Sequence, residues 1–132
     1  MDVPRNTVVA VVDGETFNLF KVGGEPGDLR LSPMRPHESE DRNSASGRSS
    51  SAANPAAKQM EEDAFGKGVV DKLNTMVLEG RIGSLLIIAA PRSLGEMRRS
   101  YHSKLQEVLV GEIDKVLTGA STVEIEKAIS AA

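Results

Sequence analysis

The chain has 132 residues, a length typical of one domain, and its core must be mainly aliphatic because it has three Phe, one Tyr and no Trp. Sixteen basic and nineteen acidic residues give a net charge of −3, which excludes an overall positive field that would attract the protein to nucleic acid or anionic lipid. The lack of Cys excludes disulfides, thiolate metal sites and a cysteine nucleophile. The start of the chain lacks the features of a secretory signal, and the longest apolar run, Leu85 to Ala90, is far below the roughly 20 residues that span a bilayer. We therefore expect one cytoplasmic domain over residues 1–132, without membrane contact.

Three strands are predicted in the first part of the chain. Thr7 to Val12 is β-branched and nearly continuous, as in a strand buried on both faces. Asp13-Gly14 follows, a dipeptide that favours the positive φ angles of a tight hairpin, and Thr16 to Val22 then supplies the second strand. After a glycine-rich turn, residues 28–34 alternate apolar and polar side chains, which predicts a short third strand.

Residues 35–55 are rich in Ser, Asn, Arg, Glu and Pro and contain almost no large apolar side chain. Such a segment cannot bury enough surface to offset its ordering entropy, so we predict a flexible polar loop. Arg35, Arg42 and Arg48 make it a candidate for contact with RNA or the ribosome. Because carboxylates are interspersed and no aromatic side chain offers a stacking platform, we favour a solvated connection.

Two helices and a fourth strand have clear signals. Asn54-Pro55 is a typical helix start, and Glu79-Gly80 is a typical end. Residues 84–90 are apolar on both faces, which predicts a central parallel strand. Ser121 and Glu124 form a capping box that predicts a short terminal helix. The first helix has an apolar face at helical spacing, formed by Phe65, Val69, Leu73, Met76 and Val77.

The segment after the fourth strand is ambiguous. Ser93 with Glu96 predicts a capping box, and apolar residues keep helical spacing from Ser93 to about Leu117. However, Val108-Leu109-Val110 is also typical of a strand, and Gly111 is a poor helix former. The pattern leaves a long helix and a new strand equally open.

Three stretches carry a family resemblance: Val9 to Phe20, Leu86 to Arg98, and Glu112 to Thr118. They resemble the bacterial host-attachment protein family. That family is similar to the central domain of archaeal and eukaryotic class I release factors, which has a ribonuclease-H-like fold. The resemblance implies an α/β fold of order β-β-β-α-β-α-β-α, with a mixed five-stranded sheet, helices packed on it, and Glu107 to Ile113 as the fifth strand.

The ribonuclease-H-like resemblance raises the question whether this chain has the metal-binding carboxylates of nucleases with that fold. Nucleases of this fold gather them from the first strand, the first helix and the end of the fourth strand, because two divalent metals must be held. Asp13 and Glu62 match the first two positions, but the fourth strand ends in Ala89-Ala90-Pro91. His37 and His102 have no ligand-like spacing. We therefore predict no metal site and no cofactor, and Asp13 is explained equally well as a hairpin residue.

The release-factor resemblance implies a Gly-Gly-Gln tripeptide on the loop before the first helix. This chain has Gly47-Arg48-Ser49 there, and its Gly23-Gly24 pair precedes Glu25 in a different turn. No glycine-rich phosphate loop or nucleophile elbow is present in the sequence. We predict no catalytic residue.

The corner from Pro91 to Arg98 is the best candidate binding site. It follows a central parallel strand, where open α/β folds place ligand crevices, and leads into a helix N-terminus that attracts anions. The alternative, which we favour, is that Arg92 and Arg98 pair with Glu96, Asp114 or the terminal helix. The candidate ligand- or partner-binding residues are Arg92, Ser93, Gly95 and Arg98, with Asp13, Glu62 and Asp114 as weaker candidates.

These features predict a non-enzymatic cytoplasmic binding protein that is associated with translation and acts indirectly on host attachment. Two alternatives stay open. One is a hydrolase acting on RNA or on aminoacyl or peptidyl esters. The other is a structural subunit of a ribosome-associated assembly.

Overall fold

The computed structural model describes residues 3–24, 28–34 and 55–132 and contains one mixed sheet of five strands. The strands are β1 (Val8–Val12), β2 (Phe17–Gly23), β3 (Arg30–Pro33), β4 (Leu85–Ala89) and β5 (Leu109–Ile113). Their spatial order is β3-β2-β1-β4-β5. β2 is antiparallel to β1 and β3, whereas β4 is parallel to β1 and β5. The predicted α/β fold, with its mixed sheet and strand 5 near residues 107–113, is confirmed.

Helices cover both faces of this sheet. They are α1 (Pro55–Leu78), α2 (Pro91–Met97), α3 (Ser103–Val108) and α4 (Thr122–Ala131), with a 3-10 turn at Arg98–Ser100 between α2 and α3. Val8, Ala10 and Val12 of β1 pack in one core with side chains of α1, α2 and α3. Val9 and Val11 pack in a second core with α4. Because both faces are covered, β1 and β4 are buried at every residue, as their unbroken apolar sequences predict.

The apolar face and the end of α1 are as predicted. Val69, Leu73 and Met76 are buried in the first core, and Phe65 and Val77 pack against it partly buried. Gly80 has φ +80°, so it forms the expected left-handed cap. The predicted cap residue at the other end, Asn54, lies outside the described residues.

The hairpin between β1 and β2 is present, but its predicted turn type is wrong. Four residues connect the strands, and neither Asp13 nor Gly14 has a positive φ. The Asp13 N–H donates to the Thr16 carbonyl at 3.0 Å. The longer connection removes the need for left-handed residues, because the Asp13 side chain itself holds the turn.

The predicted capping box at Ser93 and Glu96 is wrong. α2 begins at Pro91 with Ala90 as its N-cap, and no side chain caps it. Pro91 is preset for the first helical position, so Ser93 lies inside the first turn instead of before it. The capping box of α4 is confirmed. The Glu124 N–H donates to Ser121 Oγ at 3.1 Å, and the Ser121 N–H donates to Glu124 Oε1 at 2.8 Å.

The ambiguous segment is broken into a helix, a turn, a second helix and a strand. The Asn74 side chain of α1 holds the break: its Nδ2 donates to the Ser100 carbonyl at 3.0 Å, and its Oδ1 accepts from the His102 N–H at 3.1 Å. Tyr101, between these two residues, has extended backbone angles of φ −66° and ψ 128°. Helical spacing over Ser93 to Leu117 therefore does not produce one helix.

The predicted polar loop lies outside the described residues from position 35 to 54. Its flexibility and its contact with RNA stay predictions. Among the described parts of the chain, no helix has the length and apolar character needed to cross a membrane.

Candidate functional site

The carboxyl ends of β1, β4 and β5 meet at one edge of the sheet, because these three strands are parallel. The residues that follow the strands therefore lie along this edge. They include Asp13 after β1, Arg92 and Ser93 after β4, and Asp114 after β5. This edge brings together the regions from which the candidate residues were predicted.

Asp13 holds two loops in place at this edge. Its Oδ1 accepts from the N–H groups of Glu15 and Thr16, each at 2.7 Å. Its Oδ2 accepts from the Thr118 hydroxyl, in the loop after β5, at 2.8 Å. Burial raises the pKa of Asp13, but these hydrogen bonds outweigh burial, so the pKa lies below its usual value. The carboxylate is thus explained as the acceptor that ties the hairpin to the loop after β5.

Glu62 of α1 lies against the same hairpin. A Cβ atom added to Gly14 would stand 2.6 Å from Glu62 Cγ, so the side chain at position 62 fills the space that Gly14 leaves open. The structure therefore places Glu62 against Gly14, the residue that follows Asp13. Ala89 ends β4, where the third carboxylate of a nuclease would stand. Within residues 3–24, 28–34 and 55–132, no group of three or more His, Asp or Glu is arranged to hold a metal ion.

The two predicted arginines do not form one joint site. Arg92 pairs with Asp63 of α1, with Nη2 and Oδ2 3.6 Å apart. Arg98 pairs with Glu112 of β5, with Nη2 and Oε1 2.6 Å apart. Ser93 is half-buried in the first turn of α2, and Gly95 is exposed with open space where a Cβ would be. Arg92, Ser93 and Gly95 thus lie within the seven-residue helix α2 and Arg98 directly after it, and the two arginines are held by different elements.

Glu112 is the centre of a three-residue cluster. Its Oε1 accepts from Arg98 Nε at 2.9 Å and Nη2 at 2.6 Å, and its Oε2 accepts from the Tyr101 hydroxyl at 2.6 Å. Burial raises the pKa of Glu112, but the bonds from Arg98 and Tyr101 outweigh burial and lower it. Burial and the Glu112 carboxylate together raise the pKa of Tyr101. The cluster ties the turn after α2 to β5.

Residues 98–104, which we call the basic turn, carry four exposed basic side chains and no carboxylate. They are Arg98, Arg99, His102 and Lys104. Arg99 lies 3.8 Å from Glu96, and Lys104 lies 3.7 Å from Glu107, distances typical of weak exposed ion pairs. Sequence reasoning treated Arg98 and His102 separately and missed this group. Its signal was the absence of any acidic residue between positions 98 and 104.

A family model gives the chain its place among known proteins. The model of bacterial archaeo-eukaryotic release factor family 12 matches residues 6–129. The chain belongs to this family. Membership in release factor family 12 confirms the predicted release-factor-like resemblance, whereas the host-attachment resemblance stays a prediction. No curated protein matches the chain.

Within this member of release factor family 12, the basic turn extends from the end of α2 into α3. The match covers all five strands and α1 to α3. The cluster of Glu112, Tyr101 and Arg98 and the Asp13 turn therefore both lie inside the family domain.

Proposed function

We propose that this protein is a non-enzymatic binding protein that acts in translation and contacts RNA through the basic turn. One observation carries the proposal: four exposed basic side chains stand on a turn whose backbone is fixed by Asn74. A fixed turn presents its basic side chains without a further cost in backbone entropy, and guanidinium groups donate well to phosphate oxygens. Membership in a release factor family supports translation as the setting.

The charge of the whole chain limits this contact to a local one. With a net charge of −3, long-range attraction to RNA is weak, so affinity must come from the few cations that touch phosphates. Each phosphate contact to single-stranded nucleic acid contributes a slope of about −0.7 to the dependence of log affinity on log salt. A turn whose charged side chains are Arg98, Arg99 and Lys104 therefore supports binding that is modest and sensitive to salt.

The hydrolase alternative finds less support at the edge where the carboxyl ends of β1, β4 and β5 meet. Both oxygens of Asp13 already accept hydrogen bonds that fix the hairpin and the loop after β5. Glu62, at the second position of the nuclease pattern, lies against Gly14 of the same hairpin. Cleavage of RNA or of a peptidyl ester that disappears in both Asp13→Ala and Glu62→Ala would replace our proposal with the hydrolase.

Cytoplasmic location and an indirect role in host attachment are part of the proposal. Their support is the sequence resemblance of residues 9–20, 86–98 and 112–118 to host-attachment proteins, together with the translation-related family. A change in translation alters the amounts of many proteins, including those at the cell surface. Cleavage of this protein by protease added to intact cells would contradict that location.

The proposal is tested by sedimentation with ribosomes and by binding of labelled transfer RNA at several salt concentrations. The double variant Arg99→Ala/Lys104→Ala removes two cations of the basic turn. The matched control, Lys67→Ala/Arg81→Ala, removes two exposed cations of α1 and its C-terminal end. We expect the magnitude of the salt slope to fall by about 1.4 in the first variant, about 0.7 per lost phosphate contact, and to stay unchanged in the control. Equal losses in both variants, or no sedimentation of the wild type, would contradict the proposal.

A further inference from the structure

Arg98 and Glu112 differ in how firmly they are held. The Glu112 side chain is 18% exposed, belongs to a strand, and keeps the Tyr101 hydroxyl on its Oε2. The Arg98 side chain is 55% exposed, and both of its hydrogen bonds to this cluster go to Oε1. Arg98 can therefore swing away while the bond between Oε2 and Tyr101 remains.

The Glu112 carboxylate occupies the donors with which Arg98 would bind a phosphate. A guanidinium presents a planar fork of N–H groups that serves carboxylate and phosphate oxygens alike. The Nε and Nη2 groups of Arg98 both donate to one oxygen of Glu112, at 2.9 and 2.6 Å. Arg99 and Lys104 lie 3.8 and 3.7 Å from their carboxylates, beyond hydrogen-bond distance. Among these three cations, Arg98 has the strongest competitor for its donors.

We infer that Glu112 masks Arg98, and that Arg98 binds an RNA phosphate only after it leaves this carboxylate. The inference rests on the proposed function, because it concerns how the basic turn engages RNA. Glu112 then weakens RNA binding in the free protein, and Tyr101 keeps the carboxylate in place when Arg98 departs. The contact is autoinhibitory, and its strength sets how readily the turn gains Arg98 as its third cation.

The variant Glu112→Gln tests this directly, because it removes the charge and keeps the shape. We expect it to bind labelled, unfractionated transfer RNA roughly two- to fivefold more tightly than the wild type, the range that corresponds to one exposed ion pair. Fluorescence anisotropy at low salt measures the affinity. The matched control is Asp28→Asn, which neutralises a carboxylate 3.3 Å from Arg30. Asp28 lies next to β3, the outer strand farthest from β5 in the sheet. An equal gain in the control, or no gain in Glu112→Gln, overturns the inference.

Two further measurements sharpen the test, and the second uses the wild type, so it does not depend on the folding of Glu112→Gln. In the double variant Arg98→Ala/Glu112→Gln the gain must disappear, because Arg98 is the group that is released. In the wild type, the Nε–H resonance of Arg98 must shift on saturation with transfer RNA, and an unmoved resonance overturns the inference. If the wild type binds RNA and these results fail, only the masking by Glu112 is wrong. If neither wild type nor variants bind at low salt, the proposed function falls as well.

Discussion

Replacing Asn74 with Ala should destabilise the protein and loosen the basic turn. The Asn74 side chain makes two hydrogen bonds to backbone groups at the break between α2 and α3, to the Ser100 carbonyl at 3.0 Å and from the His102 N–H at 3.1 Å. A net contribution of about 0.5–1.5 kcal/mol per bond gives a loss of about 1–3 kcal/mol in the free energy of unfolding. For 132 residues the unfolding entropy is about 0.28 kcal/mol/K, so the melting temperature should fall by about 4–11 °C.

Calorimetry or circular dichroism melting measures this shift, and Asn18→Ala is a matched control. Asn18 is exposed on β2, so its replacement should change stability by no more than about 0.5 kcal/mol. The Asn74 variant should also lose affinity for transfer RNA, because the turn that presents Arg98 and Arg99 is no longer held. A melting temperature equal to that of the wild type would refute the role of Asn74 in fixing the break.

Three more predictions follow from side-chain contacts. The pKa of Asp13 and of Glu112 is lowered in the folded state, so the unfolded state binds more protons. The resulting stability is complete above about pH 5, beyond the unfolded pKa of both groups, and is lost as the pH falls through the folded pKa. The free energy of unfolding, measured with urea from pH 7 downward, should therefore fall less steeply in acid for Asp13→Asn than for the wild type. An equally steep fall in both proteins would contradict this prediction. Thr118→Val should cost about 1–2 kcal/mol, because the hydroxyl bond to Asp13 is lost, and an unaltered urea midpoint would count against that bond. Ser121→Ala should cost about 1 kcal/mol and Ser93→Ala less than about 0.5 kcal/mol, because only the first residue caps a helix; equal melting shifts would refute the assigned caps.

Elements fixed by local patterns were predictable from the sequence. The unbroken apolar run of β1 specifies a strand covered on both faces, and Gly80 specifies the end of α1. The capping box at Ser121 and Glu124 specifies the start of α4. In each case the decisive contacts lie within a few residues along the chain, or depend only on which side chains are apolar.

Elements fixed by distant residues were not predictable in this way. The break at residues 98–102 depends on Asn74, which lies on another helix, and helical spacing alone continues through it. The start of β5 is determined by pairing with β4, where Leu85 lies opposite Leu109. Ser93 shows the reverse error: a local motif was present, but the N-cap is Ala90, so the helix begins three residues earlier than predicted.

The candidate site was predicted only in part for the same reason. Asp13 and Glu62 were expected near each other from the resemblance, and the hairpin does lie against Glu62. The partner of Arg98 was sought at Glu96, Asp114 or the terminal helix, but it is Glu112, fourteen residues further along the chain. Only the parallel pairing of β4 and β5 brings this carboxylate to the turn.

Ultraviolet crosslinking of the protein to RNA in its native cell tests the central claim most directly. The protein is captured under denaturing conditions, the bound RNA is identified, and the crosslinked peptides are mapped by mass spectrometry. The account predicts ribosomal or transfer RNA attached to the peptide that contains residues 98–104, and loss of that adduct in Arg99→Ala/Lys104→Ala. Capture without RNA, or adducts confined to other peptides and unaffected by that variant, would contradict it.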